Sequence, residues 1–147
     1  MVELIAVLLL MGVLAVTVLP RLDGALALRG AGWRDQVLAA LQHARSQAQG
    51  HRRLVCVTVA TGAVTLSIAD TNPASNCNTA LPGPDGDARF AHEASGIGTA
   101  VTPTGTLYFQ PAGRITSDGA GSSALNASIS VNGEDSISLV GETGYFE

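Results

Sequence analysis

One carboxylate, Glu3, heads the apolar run VELIAVLLLMGVLAVTVLP. Buried without a partner, a carboxylate costs several kcal/mol. The residue therefore either pairs with a cation or stays solvated at the end of the run. Three histidines, His43, His51 and His92, are the other obvious candidates for chemistry. His43 and His51 share a helical face, but no Cys or carboxylate lies at ligand spacing from them, which argues against zinc. Asp85 and Asp87 flank Gly86 in PDGDARF. This is a fragment of a calcium loop without the fuller Asp-x-Asp-x-Asp-Gly pattern, and it reads as a turn. There is no Gly-x-Ser-x-Gly elbow, phosphate loop or dinucleotide fingerprint. The expectation is no enzyme, no cofactor and no metal. Cys56 and Cys77 are compatible with one disulfide in an oxidising compartment or with two free thiols. Their spacing is not the Cys-x-x-Cys of a redox catalyst.

Charge narrows the partners. The chain has 147 residues and a net charge of −4, with eight arginines and no lysine. From residue 54 onward only Arg89 and Arg114 are basic, against nine acidic side chains. Such a surface repels nucleic-acid phosphate unless the two arginines are placed together.

The elements that must position these groups fall into two parts. Leu4 to Leu19 is sixteen residues without a charge, about 24 Å of helix against the ~30 Å of a bilayer core. No small-x-small site follows it, as a signal peptide requires, and no polar residue recurs as in a soluble helix. The run reads as a membrane helix weakened at Gly12 and Pro20. Helical periodicity then resumes, with Trp33, Val37, Leu38, Leu41, Ala44 and Ala48 on one stripe and Arg34, Gln42, Arg45 and Gln49 opposite. Gly30 and Gly32 weaken that reading locally, and Gly50 is the expected stop. Beyond it the period becomes two. Strands are expected at 53–60 and 63–69 around Thr61-Gly62, at 106–110, and on both sides of Asn132-Gly133, with a last short one near the C-terminus. Residues 70–105 read as a long polar excursion with one short strand near 89–91, and TSDGAGSSA reads as a flexible loop.

VELIAVLLLMGVLAVTVLP resembles the N-terminal helix of type IV pilins and type II secretion pseudopilins. Val2-Glu3 matches the family's Val-Glu pair, and Gly12 and Pro20 fall where the family often carries a Gly and a Pro. GTLYFQPAGRIT with the glycine-rich loop after it is similar to the GspH/FimT group of minor pseudopilins. SISLVGETGYFE is similar to the ends of MSHA-type minor pilins. The family's Gly-Phe-Thr and basic leader do not precede Val2-Glu3 here. The expectation is a start assigned too late or a truncation, and prepilin peptidase is a partner only where that leader exists upstream. The resemblance implies that Glu3 neutralises an N-terminal ammonium during subunit assembly. It also implies a bacterial inner-membrane location with a periplasmic globular domain, followed by entry into a filament. A periplasmic site would oxidise Cys56 and Cys77, and their pairing would tether the polar excursion to the first strand. Some FimT-type relatives bind DNA through Gly-Arg-x-Arg, but Gly113-Arg114-Ile115-Thr116 lacks the second arginine.

The fold expected is α+β and pilin-like: a long N-terminal helix, its first half membrane-inserted, packed on a C-terminal antiparallel β-domain. Its parts are a polymerisation helix at 1–22, an amphipathic continuation at 23–50 and a globular domain at 51–147. The function expected is that of a minor pilin or pseudopilin. Its partners would be other such subunits, the assembly platform and the inner membrane, and not nucleic acid. The alternatives are a filament-tip adhesin or DNA-uptake receptor, and a single-pass anchor that never polymerises.

Overall fold

The computed structural model describes residues 2–93 and 96–147, with the side chains of 16–27 outside the description. Helix α1 (Val2–His51) is followed by ten strands: β1 (Val55–Ala60), β2 (Ala63–Ile68), β3 (Thr79–Leu81), β4 (Ala91–His92), β5 (Thr99–Thr102), β6 (Leu107–Phe109), β7 (Ile115–Thr116), β8 (Ala127–Val131), β9 (Ile137–Val140) and β10 (Tyr145–Phe146). They form two antiparallel sheets. One runs β3-β2-β1-β6-β7 with β4 also on β2, and the other runs β10-β9-β8-β5.

The α1 stripe is why both sheets have a common core. Trp33, Val37, Ala40, Leu41, Ala44 and Ala48 are buried, spaced by threes and fours as one helix face requires. They meet Val55, Val57, Val64, Leu66, Leu107 and Phe109 from the first sheet, and Val101, Ile129, Val131, Ile137 and Leu139 from the second. In β2, β5, β8 and β9 these residues alternate with exposed or half-exposed ones, so each sheet turns one face to the helix, while in β1 the residue between Val55 and Val57, Cys56, is buried as well.

Two parts of the expected fold are corrected. Among the described residues no helix is long and apolar enough to cross a membrane, so the membrane-inserted, pilin-like architecture does not hold, and this argues against a single-pass anchor. The described apolar stretch, residues 2–15, rises only about 21 Å at 1.5 Å per residue. The described stretch from 28 onward carries Arg29, Arg34, Asp35 and Arg45. Pro20 and the proposed boundary at 22 lie outside the described side chains. The single β-domain sheet is likewise two sheets. The reason is β5, read from sequence as part of the polar excursion. Its buried Thr99 and Val101 alternate with exposed Ala100 and Thr102, and it pairs with β8 instead of joining β1 and β2.

Helix α1 passes Gly50 and stops with Arg52 at φ 52°. The Arg53 N–H donates to the Ala48 carbonyl (3.1 Å) and the Arg52 N–H to Gln49 (3.4 Å), a Schellman closure with arginine where glycine is favoured. A side chain in this left-handed region is strained by about 1 kcal/mol. Arg52→Gly is therefore expected to raise the urea midpoint slightly, by up to roughly 0.5 kcal/mol of stability after allowing for glycine's freer unfolded state. An unchanged or lower midpoint would remove the strain argument.

The Asn132-Gly133 connection is also longer than a two-residue hairpin, since Ile129 pairs with Ile137. The extra residues reach α1, where Arg34 Nε donates to the Asp135 carbonyl at 2.9 Å. Gly30 fits this approach, because a Cβ there would stand 2.8 Å from Glu134 Oε1.

Candidate functional site

The first described stretch of α1 is an arm without a covering layer in the monomer. From Val2 to Ala15 every residue is exposed, including Leu4, Ile5, Leu8, Leu9, Met11 and Leu14, with Leu10 at 64 %. Unlike the later stripe, the apolar side chains occupy the whole circumference. A helix that is apolar all round is normally buried all round. Glu3 is the only charged residue of this stretch, is exposed, and makes no ion pair or hydrogen bond among the described residues. Gly12 is helical, and nothing lies within 4 Å of where its Cβ would be.

The two cysteines are joined, with Cα atoms 6.0 Å apart. Val55 and Val57 of β1 enter the main core, so alternation turns Cys56 to the opposite face of the sheet. There it forms a small second cluster with Leu54 and Ala69, onto which Ala74, Cys77 and Tyr108 pack. The polar segment after β2 is thereby held as a cover on the outer face of the first sheet.

The remaining candidates from sequence do not converge. His43 stacks on Phe90, ring centroids 4.9 Å apart, while His51 ends α1 and His92 lies on β4. Among the described residues no group of three or more His, Cys, Asp or Glu is placed to hold a metal. Asp85 Oδ1 accepts the Asp87 N–H at 3.1 Å, and Asp87 pairs with Arg89 at 3.1 Å. The Arg89 hydrogen bonds hold the Asp87 carboxyl down to about 2. Both carboxylates thus serve a turn. Arg114 pairs with Glu142 at 3.1 Å, and its neighbour Ile115 is in the core, so the Gly113-Arg114 segment presents one engaged cation.

No family model, curated protein or solved structure matches the chain. The functional reading accordingly rests on the residues and their placement.

Two features escaped the sequence reading. Gln110 Nε2 lies within donating distance of Thr116 Oγ1 (2.9 Å) and the carbonyls of Asp118 (3.4 Å) and Gly119 (3.2 Å), fixing the glycine-rich loop. Asp118 receives the backbone N–H groups of Ser122 and Ser123, which lowers its pKa below the usual carboxylate range. TSDGAGSSA is therefore a pinned loop. The second is a cleft between α1 and β10, lined by Gln42, Arg45, Ser46, Gln49, Gly50, Tyr145 and Phe146. Its two walls are about a hundred positions apart in sequence, and only the long polar spacing of Gln42, Arg45 and Gln49 hinted at one of them.

Proposed function

We propose that the chain is a structural subunit of a filament of the type IV pilus or type II secretion pseudopilus kind. In this reading a bacterial inner-membrane platform assembles it, the β-domain lies on the periplasmic side, and its work is packing and not catalysis. The observation that carries the reading is the arm: apolar around its whole circumference, exposed, and headed by a single carboxylate. One neighbour would cover one side of it. Covering all sides takes several neighbours, which a helical array of identical arms supplies by repeating one heterologous contact. Inside that array Glu3 would need a cation, and an N-terminal ammonium is the group that arrives with each subunit. The disulfide supports the location, since such bonds persist in oxidising compartments.

The test is Glu3→Ala, in a chain carrying the family's leader and produced in cells with such a machine. Removing one partner of a buried pair costs about 3–5 kcal/mol, so the share of chain recovered in sheared filaments should fall by more than about tenfold. Recovery equal to that of the unaltered chain would overturn the pairing role. Failure of the unaltered chain itself to enter filaments would overturn the filament reading.

A further inference from the structure

We propose that the cleft between α1 and β10 receives an extended acidic peptide segment of a partner protein, added as a strand to the free edge of the second sheet. The cleft is open and of about 660 Å³. Its β10 wall is the terminal strand of the order β10-β9-β8-β5, so one long side of β10 faces away from the sheet. Glu147 and Ser138 exchange both backbone hydrogen bonds, at 3.2 and 2.9 Å. In an antiparallel ladder the next pair, Phe146 and Leu139, is then the non-hydrogen-bonded one. Alternation turns the N–H and C=O of Phe146 outward, away from β9. A donor and an acceptor at a sheet edge are what an added strand pairs with.

The other wall selects the charge. Arg45 is half-buried in the cleft lining and makes no ion pair or hydrogen bond among the described residues. Gln42 and Gln49 add side-chain amides without hydrogen-bond partners among the described residues. Just past Gly50, the side chains of Arg52 and Arg53 are exposed and likewise unpaired. Of the acidic groups at this end, Glu142 is paired with Arg114, and Glu147 accepts the Tyr145 hydroxyl at 3.1 Å and keeps its charge, against the three arginines. The cleft thus offers unpaired cations and amide donors opposite a free strand edge. Tyr145, 52 % exposed, offers an aromatic face beside the free edge for an apolar side chain of an alternating segment, while Phe146, the next residue, turns to the opposite face, toward the core. Arginine suits this role because its planar fork holds a carboxylate through two parallel bonds.

The experiment uses the full chain in mild detergent and a short fluorescein-labelled peptide alternating valine with glutamate, read by anisotropy. Saturable binding is expected, weakened at least about tenfold by Arg45→Glu and less by Arg45→Gln, which keeps the packing stem. The peptide with arginine in place of glutamate should not bind. A peptide with proline at alternate positions should lose binding, since it cannot complete the edge. Circular dichroism of both variants checks that the fold is retained. Absence of binding, equal binding by the arginine or proline peptides, an unchanged affinity for folded Arg45→Glu, or preference for a single-stranded oligonucleotide over the acidic peptide would overturn the proposal. None of these readouts requires a filament, so this result and that of the assembly test are independent.

Discussion

Trp33→Ala is expected to destabilise the chain by about 3–5 kcal/mol, the range for deleting a large buried aromatic. Trp33 is 1 % exposed and sits where α1 meets both sheets. Its indole Nε1–H donates to Thr99 Oγ1 at 2.7 Å, and that hydroxyl lies 3.0 Å from the Ile97 carbonyl. Alanine removes the ring and the donor together. Val101, Ile129 and Val131, which share the core with Trp33, belong to short strands whose registers are fixed by their pairing, so the cavity collapses only in part. For a chain of this size the loss corresponds to roughly 10–20 °C in Tm. Trp33→Phe keeps most of the volume and leaves Thr99 bonded to Ile97, so about 1–2 kcal/mol is expected there. Urea unfolding in mild detergent, followed by circular dichroism, measures both. A loss under 1 kcal/mol for alanine would mean that α1 is not the element that unites the sheets.

The stripe containing Trp33 was legible in the sequence because a buried helix face repeats every three to four residues regardless of what it meets. The β1–β2 hairpin was legible for a similar local reason. Its valine, leucine and isoleucine residues recur at every second position, and Thr61-Gly62 joins Ala60 to Ala63 with Gly62 at φ 68°. The division into two sheets was not legible. Which partner β5 takes is decided by long-range pairing with β8, and a four-residue strand among Gly, Pro and Thr leaves almost no periodic signal. The stop of α1 was misplaced for another reason: Arg52 adopts a conformation that favours glycine, so composition pointed to Gly50. Membrane insertion was read from the charge-free run, its lack of polar periodicity or a cleavage site, and the family resemblance, and the described residues do not provide the necessary length. Of the candidate sites, Glu3 and the apolar arm could be found because they are contiguous. The cleft could not, because Arg45 and Phe146 meet only after the second sheet has formed.

Removing the disulfide is expected to cost about 3 kcal/mol. The bonded cysteines are 21 positions apart, and in the chain-entropy model closing a loop of that size constrains the unfolded chain by that amount. The native-state consequences are local and specific. Cys77 holds the segment after β2 against Leu54, Ala69 and Tyr108, a cluster with few apolar members, so little else retains the cover. That segment in turn supports the glycine-rich loop, since a Cβ on Gly119 would stand 1.8 Å from the Ser75 carbonyl oxygen. Only glycine permits backbone to approach so closely. The main core of α1 and both sheets lies on the other face of β1 and does not include Cys56. Cys56→Ser/Cys77→Ser should therefore keep its helical circular dichroism and its Trp33 environment, while amide exchange accelerates first at 70–78 and then at 117–123. The single variants should lose at least as much stability, since each leaves a free thiol able to pair between chains. Equal stability of the double variant, or accelerated exchange spread evenly over β8 and β9, would show that the bond is not what holds the cover on the sheet.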